Sequence, residues 1–381
     1  MNRDIIKEFQ EVIENRHKYA EDWKAKTGGK VIGWLCSYCP VEIVHAAGML
    51  PARILGSLEP ERLSDEYIYG NVCPYTRDCL AQGLKGRYNY LDGIIHARSC
   101  EAIEFAFHSW IKALPIDFSH YIYMPGHIQH PSALPLLIKE YADFKEALEK
   151  LGNRSVSEED LSRAVQEYNE NRQMMKQINE FLKKDEPPIT GKEFLQIALA
   201  GQLMDVREHN EMIRQVLEEL PNRKLARDTG VRLMLIGSVN YDFIFMNLVE
   251  DLGATVVIEE NCCSTKSFWD ESIVQENKLG EIAHRYINRW PCPTFDWQAT
   301  GKERMRYKRI KHLLDDYRIE GVILHQQQFC APHGYDIPYL SSMLEELNIP
   351  SLILEFDVTV PVGQFRTRVE AFLETITLEL I

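Results

Sequence analysis

The stretch LDGIIHARSC, residues 91–100, reads as a buried strand that runs out at a cysteine, with a helix following to about Ala113. The same order recurs in EGVILHQQQFC, residues 320–330, where an apolar strand again ends at a cysteine. A third cysteine, Cys73 in NVCP at residues 71–74, opens the helix that precedes the first of these strands. Parallel α/β sheets place their ligand site in the crevice beyond the carboxyl ends of the strands. Thiolates arriving there from separate loops are a pattern that suits an iron-sulfur cluster, and three of them leave one iron open to a non-protein ligand.

Working outward from these strands, the alternation continues in both directions. KVIGWL reads as a strand, PVEIVHAAG as a helix, PARILG as a strand, Cys73 to Gly86 as a helix, and HYIYMP as a further strand. Residues 131 to about 225 change character, with apolar residues recurring at three and four and charges between them, so this block is helical. Ser157 with Asp160 fits a capping box, and Pro187-Pro188 in KKDEPPITG breaks the block between two helices. From Val231 the strand-helix alternation resumes through RLMLIG, ATVVIEE, EGVILHQ and SLILEF, with helices over YDFIFMNLVEDLG, ERMRYKRIKHLLDDY and PYLSSMLEEL and a last helix from Val362. The order NVCP, helix, strand, Cys100 is matched by WPCP, helix, strand, Cys330, which suggests duplication of one α/β unit. The expected organisation is an N-terminal helix over 1–28, a first α/β domain over 29–130, a helical segment over 131–228 and a second α/β domain over 229–381, the two parallel sheets facing a shared cleft.

Composition narrows the function. The 381 residues carry a net charge of -14, with 45% hydrophobic and 26% charged residues. No basic face is available to neutralise phosphates, so nucleic acid is not an expected partner. No apolar run approaches the length of a spanning helix, and the leading helix does not resemble a signal peptide, so no membrane is expected and the cytoplasm is the expected compartment. Nine cysteines there fit thiols or metal ligands better than disulfides.

Each candidate has a plainer competitor. Cys100 and Cys330 could be small buried hydrophobes, but their matching positions in the two halves favour ligation. Cys36 and Cys39 form a CxxC without a second such pair to complete a tetrahedral site, which favours an incidental role. Cys262, Cys263 and Cys292 lie in loops of the second half and could serve a further cluster. Gly191-Lys192 and Gly301-Lys302 are bare dipeptides, for no GxxxxGK[ST] phosphate loop is present, and no GxGxxG follows a strand. His127 and His130 read as surface polar residues, whereas His333, three residues past Cys330, is placed to move protons.

At these residues the chain resembles the family of benzoyl-CoA reductase and 2-hydroxyacyl-CoA dehydratase subunits, most nearly the smaller, cluster-bearing subunit of the ATP-dependent benzoyl-CoA reductase type, with the dehydratase type as the alternative. The similarity runs through EDWKAKTGGKVIGWLCSY, AAGMLPARILGS, NVCPYTRDCLAQGLKGRYNYLDG, RLMLIGS, PCPTFDW, QQFCAPH and LEFDVTVPVGQFRTRVEAFLE. The resemblance implies Rossmann-like or flavodoxin-like domains and makes Cys73, Cys100 and Cys330 the ligands of a 4Fe-4S cluster. It implies an acyl-CoA substrate, a larger homologous subunit, and ATP-hydrolysing subunits that deliver low-potential electrons from a ferredoxin-type donor, in keeping with the missing phosphate loop. In a benzoyl-CoA reductase, electrons and protons added in turn convert an aromatic ring to a cyclic diene thioester. In a 2-hydroxyacyl-CoA dehydratase, one electron makes a ketyl radical that expels the hydroxyl and is then recovered. Ser37, Tyr38 and His333 are the candidates for contacting the acyl group or moving protons. Cys39, Cys79 and Cys263 are additional thiols that the reductase pattern does not require. A related branch carries a double-cubane cluster on more ligands, for which Cys262 or Cys263 with Cys292 would be the places to look. A non-catalytic partner that docks the electron donor or completes a CoA pocket is the competing expectation.

Overall fold

Short apolar runs that can be buried on both faces become the strands of two parallel sheets, as expected where helices cover both sides. The computed structural model describes residues 5–59, 62–275, 277–296 and 304–379. Trp297 and the Gly301-Lys302 dipeptide lie outside the described residues. The chain opens with α1 (Ile5–Glu14) and α2 (Arg16–Thr27), then β1 (Val31–Trp34), α3 (Val41–Ala46), β2 (Leu50–Arg53), α4 (Pro74–Leu84), β3 (Gly93–Ala97), α5 (Glu101–Ala113) and β4 (Phe118–Ile122). Four helices follow, α6 (Ala133–Gly152), α7 (Glu158–Phe181), α8 (Gly191–Ala200) and α9 (Val206–Glu219). The second sheet and its helices are β5 (Val231–Gly237), α10 (Phe243–Asp251), β6 (Ala254–Glu260), α11 (Thr265–Phe268), α12 (Lys278–Asn288), α13 (Met305–Asp316), β7 (Gly321–Gln327), α14 (Ala331–Glu346), β8 (Ser351–Phe356) and α15 (Val362–Glu379).

The two sheets share one topology. Their orders are β2-β1-β3-β4 and β6-β5-β7-β8, every pairing parallel. In each, the chain reverses direction of travel across the sheet beside its first strand, which opens a crevice at the carboxyl ends of β1 and β3 and of β5 and β7. The residues just past those ends include Cys36, Cys100 and Cys330. The helical block bridges the sheets, α7 packing on α3 and α6 on α12, and one hydrophobic core runs through all of it.

The buried carboxylate of Glu42 on α3 ties these layers together. It pairs with Arg172 of α7, lies 3.8 Å from Arg285 of α12, and accepts the Tyr286 hydroxyl at 2.9 Å. Burial alone would raise its pKa, but the two guanidiniums outweigh it and hold the carboxyl below its ordinary value.

Three local features differ from the sequence expectation. The leading helix is two helices that meet at Asn15, where the main-chain N–H and the side-chain amide both donate to the Glu11 carbonyl, at 2.9 and 3.0 Å. The helix expected from Pro338 begins at Ala331 instead, taking Pro332 in its first turn and Pro338 in its interior. Between β6 and α13, where no helix was expected, α11 and α12 form, the latter capped by Asn277 accepting from the Gly280 N–H at 2.6 Å.

Candidate metal centre

Cys73, Cys100 and Cys330 occupy the same local position. Each is the residue that caps the N-terminus of a helix, of α4, α5 and α14 respectively. A helix N-terminus carries partial positive charge and favours a thiolate over a thiol. Interaction with Cys73 first, and then burial, raises the Cys330 thiol well above its ordinary pKa. Burial and then repulsion from Cys330 do the same to Cys100. The main-chain N–H groups of Ile103 and His333 pull the other way on Cys100 and Cys330. The three thiols that the sequence singled out are therefore brought together, one from each of three chain segments.

They do not stand alone. Cys36, past β1, is buried and pushed up to about 11, by desolvation first and then by Cys262 and Cys292. Cys100 is also raised by Cys36 and Cys292, and Cys330 by Cys262. Cys292, in the loop after α12, is raised by burial and Cys262 and lowered by Lys266. Six thiols drawn from both sheets thus act on one another, and through Cys36 and Cys262 the effect reaches Cys39 and Cys263. All nine cysteines are free thiols.

The remaining three face elsewhere. Cys39 and Cys79 are fully buried, their thiols directed at the carbonyls of Ile95 (3.8 Å) and Ile54 (3.6 Å). Cys263 is also buried, raised to about 12 by desolvation, and it sits beside Arg53 and Glu259. These three are packing residues. Both cysteines of the Cys36-x-x-Cys39 motif are buried, and burial first, then Cys36, raises Cys39.

Fixed charge surrounds the thiols. Lys266, 1% exposed in its side chain, pairs with Glu260 at 2.7 Å, and Glu260 also holds Arg306 at 2.6 Å, which in turn pairs with Asp336. Arg53, at the end of β2, donates to the Cys262 carbonyl at 2.9 Å and lies 5.2 Å from the Trp34 ring centroid. Gln202 donates to the Cys263 carbonyl at 3.1 Å and accepts from Arg53. Arg289 donates to the carbonyls of Ser37 and Lys266 and lies over the Tyr38 ring at 5.0 Å. Sequence spacing gives no sign of these cations beyond a lone arginine in the apolar run PARILG.

Ser37 and Tyr38 sit between Cys36 and Cys39 in the loop after β1. Ser37 is half-buried, and its carbonyl is tied to Arg289. Tyr38 is 2% exposed, accepts the Cys292 N–H at 3.1 Å, and meets Phe295 edge-on at 4.7 Å. Burial raises its hydroxyl far enough to keep it protonated. His333, in the first turn of α14, is buried with Nδ1 unpartnered. Burial first, then Lys266 and Arg306, keep its ring neutral.

Among the described residues no three His, Cys, Asp or Glu side chains close on a point as ligands of one metal ion do. A cluster asks for a different arrangement, with thiolates on separate irons and so spread around a hollow. Free thiols from several loops, partly buried, facing helix N-termini and ringed by cations, fit that donor set.

The family described as 2-hydroxyglutaryl-CoA dehydratase, D-component, matches residues 36–376. The chain belongs to this family. Its relatives include the (R)-phenyllactyl-CoA dehydratase beta subunit of Clostridium sporogenes, 24% identical over 98% of each chain. A benzoyl-CoA reductase subunit of Thauera aromatica is 22% identical over 93% of this chain and 92% of its own. The beta subunit of (R)-2-hydroxyglutaryl-CoA dehydratase of Acidaminococcus fermentans is 23% identical over 98% of this chain and 99% of its own. The match begins at Cys36, so all six connected thiols fall inside the family region. No described helix is long and apolar enough to cross a membrane.

Proposed function

We propose that the chain is the cluster-bearing subunit of an enzyme that passes single low-potential electrons into an acyl-CoA thioester. What supports this is that Cys73, Cys100 and Cys330 each stand at a helix N-terminus and that Cys330 interacts with Cys73 and with Cys100. These thiolates would hold a 4Fe-4S cluster, which when bound supplies electrons at very negative potential. The surrounding residues have separate tasks. Tyr38 and Phe295, both buried, pack edge-on beside the Cys292 main chain. Lys266, Glu260, Arg306 and Asp336 form a buried, charge-balanced chain of ion pairs beside Cys292, and Lys266 lowers that thiol's pKa. Tyr38 keeps its proton and His333 is neutral beside Cys330, so both are suited to handling protons.

The names of the relatives support this substrate class and a multi-subunit enzyme. In this reading the site is completed by a larger homologous subunit, and ATP-hydrolysing subunits fed by a ferredoxin-type donor charge it in the cytoplasm. The domain limits 29–130 and 229–381 are part of the same proposal, since they assign one sheet to each wall of the cleft. The phenyllactyl-CoA and benzoyl-CoA relatives support an aromatic acyl group, and the 2-hydroxyglutaryl-CoA relative an aliphatic one. Ring reduction, as in a benzoyl-CoA reductase, consumes electrons on every turnover, whereas dehydration returns its electron, so electron stoichiometry separates the two.

A second reading is favoured by Cys36, Cys262 and Cys292, which join the same connected set. They would extend the centre to the double-cubane type. Anaerobic purification with iron and sulfide counting tests both. About four irons per chain supports the first reading and about eight the second. A colourless protein without iron supports a non-catalytic partner and contradicts both. Cys330→Ala is expected to lose cluster and activity together, and unchanged iron would remove Cys330 from the ligand set.

A further inference from the structure

Where the end of β1 meets α7, α8 and α12, the structure holds a cavity of about 60 Å³. Its lining includes Trp34, Arg172, Ala198, Arg285 and Arg289, and among the described residues no Asp or Glu lines it. Each of the three arginines is 3% exposed. The space suits a few particles of the size of water. It is a small polar chamber walled by cations.

The three guanidiniums are also close to one another. Arg285 and Arg289 lie 4.9 and 5.8 Å from the Tyr286 ring centroid, and the Tyr286 hydroxyl donates to Glu42, which pairs with Arg172. Among the described residues Glu42 is the one carboxylate paired with any of them, at 3.8 Å from Arg285. Their other hydrogen bonds go to neutral acceptors: Arg172 to Asn169, Arg285 to the carbonyls of Asp270 and Ser267, and Arg289 to those of Ser37 and Lys266. A single buried guanidinium can be met by carbonyls alone, as Arg232 is by those of Tyr317, Lys184 and Leu182. Here, by contrast, three gather on one carboxylate. Burial first, and then Arg172, push Arg285 down to about 10 against the pull of Glu42. Donors are in surplus as well, for Trp34 Nε1, Arg172 Nε and Arg289 Nε have no acceptor among the described residues.

We propose that this cavity binds a small monovalent anion, chloride or an ion of its size, between Arg172, Arg285 and Arg289. The site is independent of the iron-sulfur reading, since no thiol takes part in it. Crowding like charges in a water-poor interior costs free energy, and an anion among them returns part of it. The cost of taking an ion out of water grows with the square of its charge, which favours a singly charged ion over sulfate or phosphate. Guanidinium and indole N–H groups only donate, so they suit a ligand that only accepts. Arg172 belongs to α7, Arg285 to α12 and Trp34 to β1, so the bound ion ties the helical block and the second half to the first sheet.

The test is thermal unfolding of the full chain, purified without oxygen into gluconate buffer, as chloride or bromide replaces gluconate at constant ionic strength. General salt effects run the other way, with strongly excluded anions such as sulfate stabilising most. The expected midpoint rises by several degrees with chloride and with bromide and then levels off, as binding to the folded state requires. A midpoint that does not move, or that rises only with sulfate, overturns the site. Arg285→Gln and Arg289→Gln are expected to lose the saturable rise, while Arg214→Gln on the exposed face of α9 keeps it. A folded Arg285→Gln protein with the full rise overturns the assignment. Where a variant does not fold, crystals of the wild type grown in bromide and measured at the bromine absorption edge decide. The expected anomalous peak lies in the cavity, and a map without one there overturns the site. A peak in the cavity without a chloride-dependent midpoint is binding at crystal concentration only, and overturns it too.

Discussion

Glu259, the penultimate residue of β6, is 2% exposed, and desolvation pushes its carboxyl up to about 8 against the pull of Asn240 and Asn261. The unfolded glutamate ionises near its ordinary 4.5. Between those two values the unfolded chain releases a proton that the folded chain keeps, so stability falls as pH rises through this window and levels off above it. Each unit of difference corresponds to about 1.4 kcal/mol. Glu259→Gln removes the ionisation, and its urea midpoint is expected to change less than that of the parent between about pH 5 and about pH 8. An identical pH dependence in the two proteins would show that the folded carboxyl is ionised. At this scale the sequence marked Cys73, Cys100 and Cys330 because strand-end turns and helix starts are written locally. It could not mark Glu259, Arg53 or Arg289, whose roles come from burial against segments distant in the chain.

Among the elements, α8 shows how close packing places a wall of the cleft. A Cβ on Gly191 would lie 2.1 Å from the Val256 carbonyl oxygen of β6, main chain against main chain, with no flexible side chain to give way. Gly191→Ala is expected to cost roughly 1–3 kcal/mol, the range for overpacking a tight site, as measured by urea unfolding. Parental stability would mean that α8 does not bear on β6 this closely. Helix starts with side-chain caps were legible: Ser157 and Asp160 form the expected capping box on α7. Thr190 and Glu193 form a second on α8, with the same spacing, that went unread. The sequence reading starts α14 at Pro338, a residue suited to a first helical position, whereas the helix begins at Ala331 with Pro332 in that first turn, where a proline gives up no helical hydrogen bond.

Across the whole molecule, the echo of the two halves in the sequence corresponds to two sheets of identical order, β2-β1-β3-β4 and β6-β5-β7-β8. Parallel order follows from strand-helix alternation, so the fold class was readable. The meeting of six thiols was not, because it depends on how the sheets oppose each other, and no local spacing encodes that. Cross-cleft contacts hold that opposition: Arg53 to Cys262, Arg289 to Ser37, the Cys292 N–H to Tyr38, and the Tyr286 hydroxyl to the Cys39 carbonyl at 2.8 Å. A centre bound between the two walls should stabilise the folded state by mass action. Thermal unfolding of the iron-loaded chain is therefore expected several degrees above that of the chelator-treated chain, and equal midpoints would place the metal outside the cleft.

The central claim is that the thiols of both halves hold one iron-sulfur centre between the sheets. Crystals grown without oxygen, measured at the iron absorption edge, test it most directly. The expected anomalous map has its strongest peaks enclosed by Cys73, Cys100 and Cys330, with or without an extension toward Cys36, Cys262 and Cys292. A map of an iron-loaded crystal with its peaks away from these thiols, or with no iron bound at all, would contradict it.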